Sequence, residues 1–428
     1  MVGGGAAGMF AAIACAEASP SAELTVLEKS PQLLAKVRIS GGGRCNVTHA
    51  CFDAREFATH YPRGGKELIG PLQRFSARDI VAWFAARGVR LKTEQDGRMF
   101  PTTDSSQTII DCLLNAASAA GVRVRLNCDL ESVRRLSGGF EVTLSKSIGA
   151  QRANTNPHPG PLPFERGEGA AFAGETLFCD RLLLATGGCR AAAAGQTAVS
   201  FGHTLAQPVP SLFTFRIEVE WLRQLAGVSV EPAEVFVPTA ELHERGPVLV
   251  THWGLSGPAI LRLSAWGARK LHALDYKFPL LINWLPELTV EQMSAAFQAR
   301  RESQGARLLV NVPLTPLTAR LWEALVIASG IPRETRWASL TRLQQGKLMQ
   351  QLTRTELAVT GKSMNKEEFV TCGGVRLDEV NFKTIESRLC PGLYLAGELL
   401  DVDGLTGGFN FQAAWTTGWI AGRAMAAE

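Results

Sequence analysis

The feature that most constrains this chain is its first ten residues, in which Gly3, Gly5 and Gly8 stand at the spacing G-x-G-x-x-G. In a dinucleotide-binding unit the first glycine makes a tight turn and the second lets a pyrophosphate approach the backbone. The third lets helix and strand pack closely. The phosphates then face unpaired N–H groups at the start of the following helix. The spacing alone is a weak signal, and it gains force from what comes next. Residues 9–18 are Ala-rich and predict a helix, residues 24–27 predict a short buried strand, and Glu28 stands twenty residues after Gly8. An acidic side chain at that separation accepts hydrogen bonds from a ribose. Ala6 and Ala7 at the helix start and Lys29 beside the acid join the expected contacts.

A chain of 428 residues has room for two or three domains. With 46% hydrophobic and 20% charged residues it is globular material and not a disordered chain. Its net charge of +4 is mild, and no apolar run is long enough to span a bilayer, so no membrane partner is expected. Residues 10–18 imitate a secretory signal, but no Lys or Arg precedes them. Nine scattered cysteines suggest reduced thiols and a cytoplasmic protein. None has the spacing of a zinc site or of a C-x-x-C redox pair, so neither a metal nor a dithiol relay is expected.

The segment Lys36 to Thr48 carries three consecutive glycines flanked by basic residues, with Arg44 just behind them. It reads as an anion-binding nest or as a surface loop. Cys45 reads as a buried spectator and not as a reactive thiol. Residues 65–95 have a helical pattern, 97–101 a turn-like one, and 108–120 a helical one. Strands are predicted at 122–126, 140–144 and 182–185, the last running into Thr186-Gly187-Gly188. The Pro-rich stretch 147–174 reads as a disordered insertion at a hairpin tip. Short strand-like runs between 208 and 250 predict a small β domain. Residues 251–258 read as a loop before a helix, and His252 in that loop is a proton donor facing a substrate or a structural histidine. Residues 287–358 have helical patterning. Between 300 and 354 nine basic residues face three acidic ones, which describes a solvated basic face or a footprint for a polyanion. Near the end, a strand at 393–396 leads to Gly397 and Glu398, and Gly407-Gly408 opens a final helix. Glu398 suits a polyol hydroxyl, and the helix start suits a partly negative ring.

Six stretches together resemble one family over nearly the whole chain: GGGAAG at 3–8, SGGGRCN at 40–46, ATGG at 185–188, THWGLSGP at 251–258, CGGV at 372–375 and AGELLDVDGLTGGFNFQ at 396–412. It is the bacterial FAD-binding flavoproteins of the BaiN-type, or aminoacetone oxidase, family of NAD(P)/FAD-dependent oxidoreductases. The second and last stretches are highly specific. The resemblance implies an α/β fold: a split FAD-binding Rossmann-like domain (glutathione-reductase-like) with an inserted β domain and an inserted helical domain. The FAD-binding parts are then 1–190 and 372–428, the β domain 191–285 with 355–371, and the basic helical domain 286–354.

By that resemblance Gly3, Gly5 and Gly8 lie at the pyrophosphate and Glu28 at the adenosine ribose. Lys36, Ser40, Gly41, Gly43, Arg44, Cys45 and Asn46 line the FAD, with Leu130, Thr186, Gly187 and Gly397. Glu398 faces the ribityl chain, and Thr406, Gly407, Gly408, Phe409 and Asn410 lie at the pyrimidine edge of the isoalloxazine. There is no second G-x-G-x-x-G, so NAD(P)H as reductant docks transiently. The implied chemistry is hydride transfer at flavin N5. The implied substrates are a small molecule, as an amine or a steroid-like C=C bond, or an RNA, as uracil in ribosomal RNA held on the basic face. A non-catalytic flavin-containing RNA-binding protein is the alternative of another class. His252, Cys372 and Asp403 are the candidate acids for the accompanying proton. One expectation runs against the pattern. Only Met1 and Val2 precede Gly3, which predicts an incomplete central strand, unpaired backbone groups on its neighbours and weakened FAD binding.

Overall fold

The computed structural model describes residues 1–145, 174–189, 195–363 and 370–427, so the insertion expected at 147–174 lies outside the described residues except for Gly174. The chain forms two units, Met1–Val209 with Val370–Glu428, and Pro210–Phe369.

In the first unit the two residues ahead of Gly3 join a sheet. Val2 pairs in parallel with Leu27 on one side and Leu184 on the other. From that centre the sheet runs outward through Thr25–Leu27 to Arg123–Arg125. On the other side it runs through Leu182–Leu184, Leu393–Leu395, Glu386–Ser387 and Val380–Asn381. The flanking strands are only three residues long, so the short central segment reaches both. The Val2 amide donates to Leu183, the Ala185 amide to Val2 and the Leu27 amide to Met1, each at 2.8 Å. The expectation of unpaired groups on the neighbouring strands is therefore corrected.

Helix Ala6–Ala18 is buried from Ala7 through Ala16, as its composition of small apolar residues permits. It packs along the last helix, Phe409–Ala426. A Cβ on Gly422 would lie 2.2 Å from the Ala11 carbonyl oxygen, so only glycine lets the two backbones come this close. The region expected to be helical over 65–95 divides into helices Gly65–Arg74 and Ala77–Ala85 and a strand, Leu91–Thr93. The turn expected at 97–101 is also a strand, Arg98–Pro101, which pairs with Leu91–Thr93 and with Thr48–His49. Both corrections have one cause: these strands, of three and four residues, are too short to show a period. Strand Leu205–Ser211 pairs with Val370–Val375, so residues 195–209 fold with the first unit and not with the inserted β region.

The inserted unit is a closed antiparallel barrel. Its strands neighbour one another in the order Thr214–Ile217, Gly254–Ser256, Leu242–Thr251, Ser229–Val237, Phe278–Asn283 and Thr355–Ser363, which returns to the first. Alternation fills the interior: Phe278, Leu280 and Ile282 are buried with Val235 and Val237. Residues 355–358, expected as helix, belong to the closing strand. Helices Val290–Gln304, Ala319–Ala328 and Arg342–Thr353 share one core with the barrel, centred on Trp284, Phe297, Trp322 and Trp337. Thr289 with Gln292 and Thr341 with Gln344 close capping boxes at two of these helix starts.

Candidate functional site

The first helix begins without a side-chain cap and without an acidic residue in its first turn. Its leading N–H groups are thus left for an anion. Gly5 is the N-cap, and a Cβ there would meet no atom within 4 Å, so the space in front of the helix is open. Behind it the packing is tight: a Cβ on Gly8 would lie 2.0 Å from the Gly3 carbonyl oxygen. Ala6 and Ala7 form the first turn of this helix. Glu28 accepts the Gly4 amide at 2.7 Å and the Ser30 amide at 2.8 Å, one on each carboxylate oxygen. The side chain is held in place, and each oxygen keeps a lone pair for a ribose hydroxyl. Gly4 was not singled out in the sequence. A Cβ on it would lie 2.2 Å from Leu33, so it belongs to the cradle through packing. Lys29 is exposed, and Leu130 is half-buried at the start of a strand.

Residues 35–43 are helical up to Ile39 and then break at Ser40. Gly41, Gly42, Gly43 and Cys45 all have positive φ, and the turn they make is closed by the Cys45 amide donating to the Ser40 carbonyl at 3.0 Å. The positive charges expected to serve it are engaged elsewhere. Lys36 pairs with Glu398. Arg44 bonds Glu94 at 2.6 Å and lies over the Phe100 ring. Burial pushes the Cys45 thiol up to about 12, which keeps it protonated and unreactive. The Asn46 side chain, with its amide oriented to satisfy both partners, joins Thr48 to the Gly408 amide at 3.0 Å each. Glu398 also accepts the Thr371 amide at 2.9 Å. Thr186 and Gly187 follow the strand Leu182–Leu184, and a Cβ on Gly187 would meet open space, as at Gly5.

At the far end, Gly407 and Gly408 lead into the last helix, which again has no side-chain cap. Thr406 is exposed beside them. Gly397 is buried, and its amide donates to Thr417. Asn410 turns back to its own loop, bonding both the amide and the carbonyl of Gly404 at 2.8 Å. Phe409 is buried, and three residues that sequence reading missed gather on it. His60 stacks at 4.3 Å and His49 at 4.8 Å between ring centroids, while the Tyr61 hydroxyl donates to the Phe409 carbonyl at 2.6 Å. His49 has one nitrogen on the Asp96 carbonyl at 3.0 Å, while its Nδ1 is buried without a partner. Desolvation lowers its pKa against the opposing Asp96 hydrogen bond, and nearby His60 adds to the lowering. An orphaned buried nitrogen, two uncapped helix starts and an open cradle are what a bound dinucleotide would complete, so the residues present fit FAD. The only sequence cue to His49, His60 and Tyr61 is that they follow the SGGGRCN stretch.

The three candidate acids are placed differently. Asp403 is fully buried and takes a two-point bond from Arg63, with Nε to Oδ1 at 2.6 Å. A carboxylate so held has both oxygens occupied by the guanidinium and is poorly placed to pass a proton to a substrate. Cys372 is fully buried in strand Val370–Val375. His252 lies in the inserted unit, exposed at the tip of a hairpin closed by the Thr251–Gly254 pair. The stretch expected as a loop is this hairpin and the start of helix Pro258–Trp266.

The same unit carries the basic stretch. A cleft of about 620 Å³ is lined by Arg301, Glu302, Gln304, Gly305, Arg307 and Arg336 among others. Among the described residues, only Arg333 of the nine cations between 300 and 354 has a carboxylate partner, Glu323.

Comparison with known proteins agrees with both units. Residues 1–155 match the HI0933-like protein Rossmann domain, and residues 209–370 match the HI0933-like protein barrel and H2TH domain. A 3-dehydro-bile acid delta(4,6)-reductase of Clostridium scindens is 28% identical over 100% of this chain and 98% of its own. A ribosomal RNA dihydrouridine synthase of Escherichia coli is 29% identical over 98% of this chain and 95% of its own. Among solved structures, a 3-ketosteroid-delta4-(5alpha)-dehydrogenase of Rhodococcus jostii RHA1 covers 100% of this chain and 96% of its own, with 13% identity and a TM-score of 0.50, a likeness of fold. The chain belongs to the HI0933-like family. With the cradle described above, it is an FAD-dependent oxidoreductase. Among the described residues no helix is long and apolar enough to cross a membrane.

Proposed function

We propose that this member of the HI0933-like family reduces a carbon–carbon double bond conjugated to a carbonyl, with a uracil base of RNA as substrate and NAD(P)H as reductant. Both relatives matched along their length carry names for this reaction type. One is a reductase of a 3-dehydro-bile acid, and the other makes dihydrouridine in ribosomal RNA. The observation that favours RNA is the basic stretch 300–354, whose cations are almost all without carboxylate partners. A bile acid carries a single carboxylate and could engage few of these cations, whereas a polyanion can engage many.

Bound FAD, once reduced, supplies a hydride to the carbon β to the carbonyl. The chain holds it through the first helix start, Glu28, the turn at 40–46, Glu398 and the Gly407-Gly408 helix start. The α carbon then needs a proton. Of the three candidate donors Asp403 is clamped by Arg63 and Cys372 is enclosed, which leaves the exposed His252 as the one to substitute. The test is anaerobic. The bound flavin is reduced with NADH or NADPH, unmodified ribosomal RNA is added, and flavin reoxidation is followed with dihydrouridine by mass spectrometry. Reoxidation by RNA is the expected result, and His252→Asn should slow it about a hundredfold. A flavin that an amine reduces and only oxygen reoxidises, with the oxygen reduced to peroxide, would replace this reading with the amine oxidase one.

A further inference from the structure

We infer that the cleft between the end of helix Val290–Gln304 and the turn Trp337–Ser339 is a binding site for the phosphate backbone of the RNA substrate. This rests on the RNA reading above and names the surface that would carry it. The cleft is a built feature. Its two walls are laced by backbone bonds, with Ala338 donating to Gly305 at 3.0 Å and Trp337 to Arg307 at 3.1 Å, and Leu308 bridges to Arg336. Trp337 is fully buried beneath it and stacks on Trp322, so the walls stand on the unit's core.

The guanidinium groups at the cleft are aimed without being neutralised. Arg301 donates to the Leu340 carbonyl at 2.6 Å and Arg336 to the Ala306 carbonyl at 2.7 Å. Each bond fixes the plane of the group and leaves further N–H donors for a ligand. Arg307 is exposed, and among the described residues its side chain has no hydrogen-bond or ion-pair partner. The one acid in the lining, Glu302, accepts from Gln298 at 2.7 Å. A single small anion would not account for the charge beyond the cleft. Arg300 lies on the same helix as Arg301, and Arg342 and Lys347 lie on helix Arg342–Thr353, all three without a partner among the described residues. Repeating cations suit a repeating anion, and phosphates spaced along a strand are one.

The holoenzyme is titrated into a fluorescein-labelled oligouridylate, and binding is read by anisotropy over a series of KCl concentrations. Arg307→Glu is expected to weaken binding about tenfold and to reduce the log–log salt slope by about 0.7 for the lost phosphate. Arg307→Lys should bind nearly as the wild type does, because the contact is to a charge. Both variants should keep the wild-type melting temperature and FAD content, since Arg307 has no partner to lose. Wild-type binding that Arg307→Glu leaves unchanged would remove the cleft and spare the RNA reading. A wild-type protein that does not bind the oligouridylate would overturn both.

Discussion

In the first unit Arg63 is clamped to Asp403, Arg44 to Glu94, Arg125 to Glu175 and Arg134 to Glu141. Between 300 and 354 of the inserted unit, Arg301, Arg320 and Arg336 donate instead to the backbone carbonyls of Leu340, Gln224 and Ala306. A carboxylate orients a guanidinium and cancels its charge. A carbonyl orients it and leaves the charge in place. The first arrangement ties strands, loops and helix ends together around a cofactor cradle. The second preserves a field that an anionic partner can use. On the reading proposed above, the first kind of cation serves the fold and the second serves recognition.

The comparison breaks most visibly at Asp403. Asp403→Ala removes the carboxylate that clamps Arg63, whose side chain is 12% exposed, and about 3–5 kcal/mol of stability should be lost in denaturant unfolding. A loss below about 1 kcal/mol would mean that the pair is incidental. Acid should act next. Bonding to Arg125 holds the Glu175 carboxyl below its usual value. Its contribution is thus complete above the unfolded carboxylate value of 4.5 and lost as pH falls through the depressed folded value. The Arg125→Ala variant, measured by thermal melts at falling pH, should lose this part of the acid sensitivity.

In the inserted unit the double change Arg342→Ala with Lys347→Ala should alter stability by no more than about 0.5 kcal/mol, while reducing the salt slope of RNA binding. If it destabilises the protein as Asp403→Ala does, these cations serve the fold and the contrast fails. The smallest effect is expected at Cys45. Its thiol, raised to about 12, should resist alkylation by iodoacetamide at pH 8 in the folded protein and react only on unfolding, as mass spectrometry can follow.

Much of the cradle is legible because it is local. Gly3, Gly5, Gly8 and Glu28 sit within one turn, one helix and one strand, and their spacing follows from the length of that unit. The capping residues Thr289 and Thr341 are legible for the same reason, since their partners lie three residues on. The strand Arg98–Pro101 was read as a turn because its four residues are too few to show a period, and its pairing to Thr48–His49 crosses about fifty residues of chain. His49, His60 and Tyr61 escaped notice because Phe409, the ring they surround, lies some 350 residues away. Arg44 and Asn410 were read as cofactor contacts by position, and the long-range or loop-closing bonds that fix their side chains could not be read that way.

The opening glycines, the acid twenty residues on, the count of cations between 300 and 354 and the alternation of the barrel strands were determined by the sequence alone. Each depends on the geometry of a few consecutive residues. Only the tertiary structure decided how Met1 and Val2 satisfy both neighbouring strands, that Arg63 clamps Asp403 and which arginines are held by carbonyls and not by carboxylates. Those outcomes depend on which distant groups meet, and pairing a buried or half-buried charge is a property of the meeting and not of either residue.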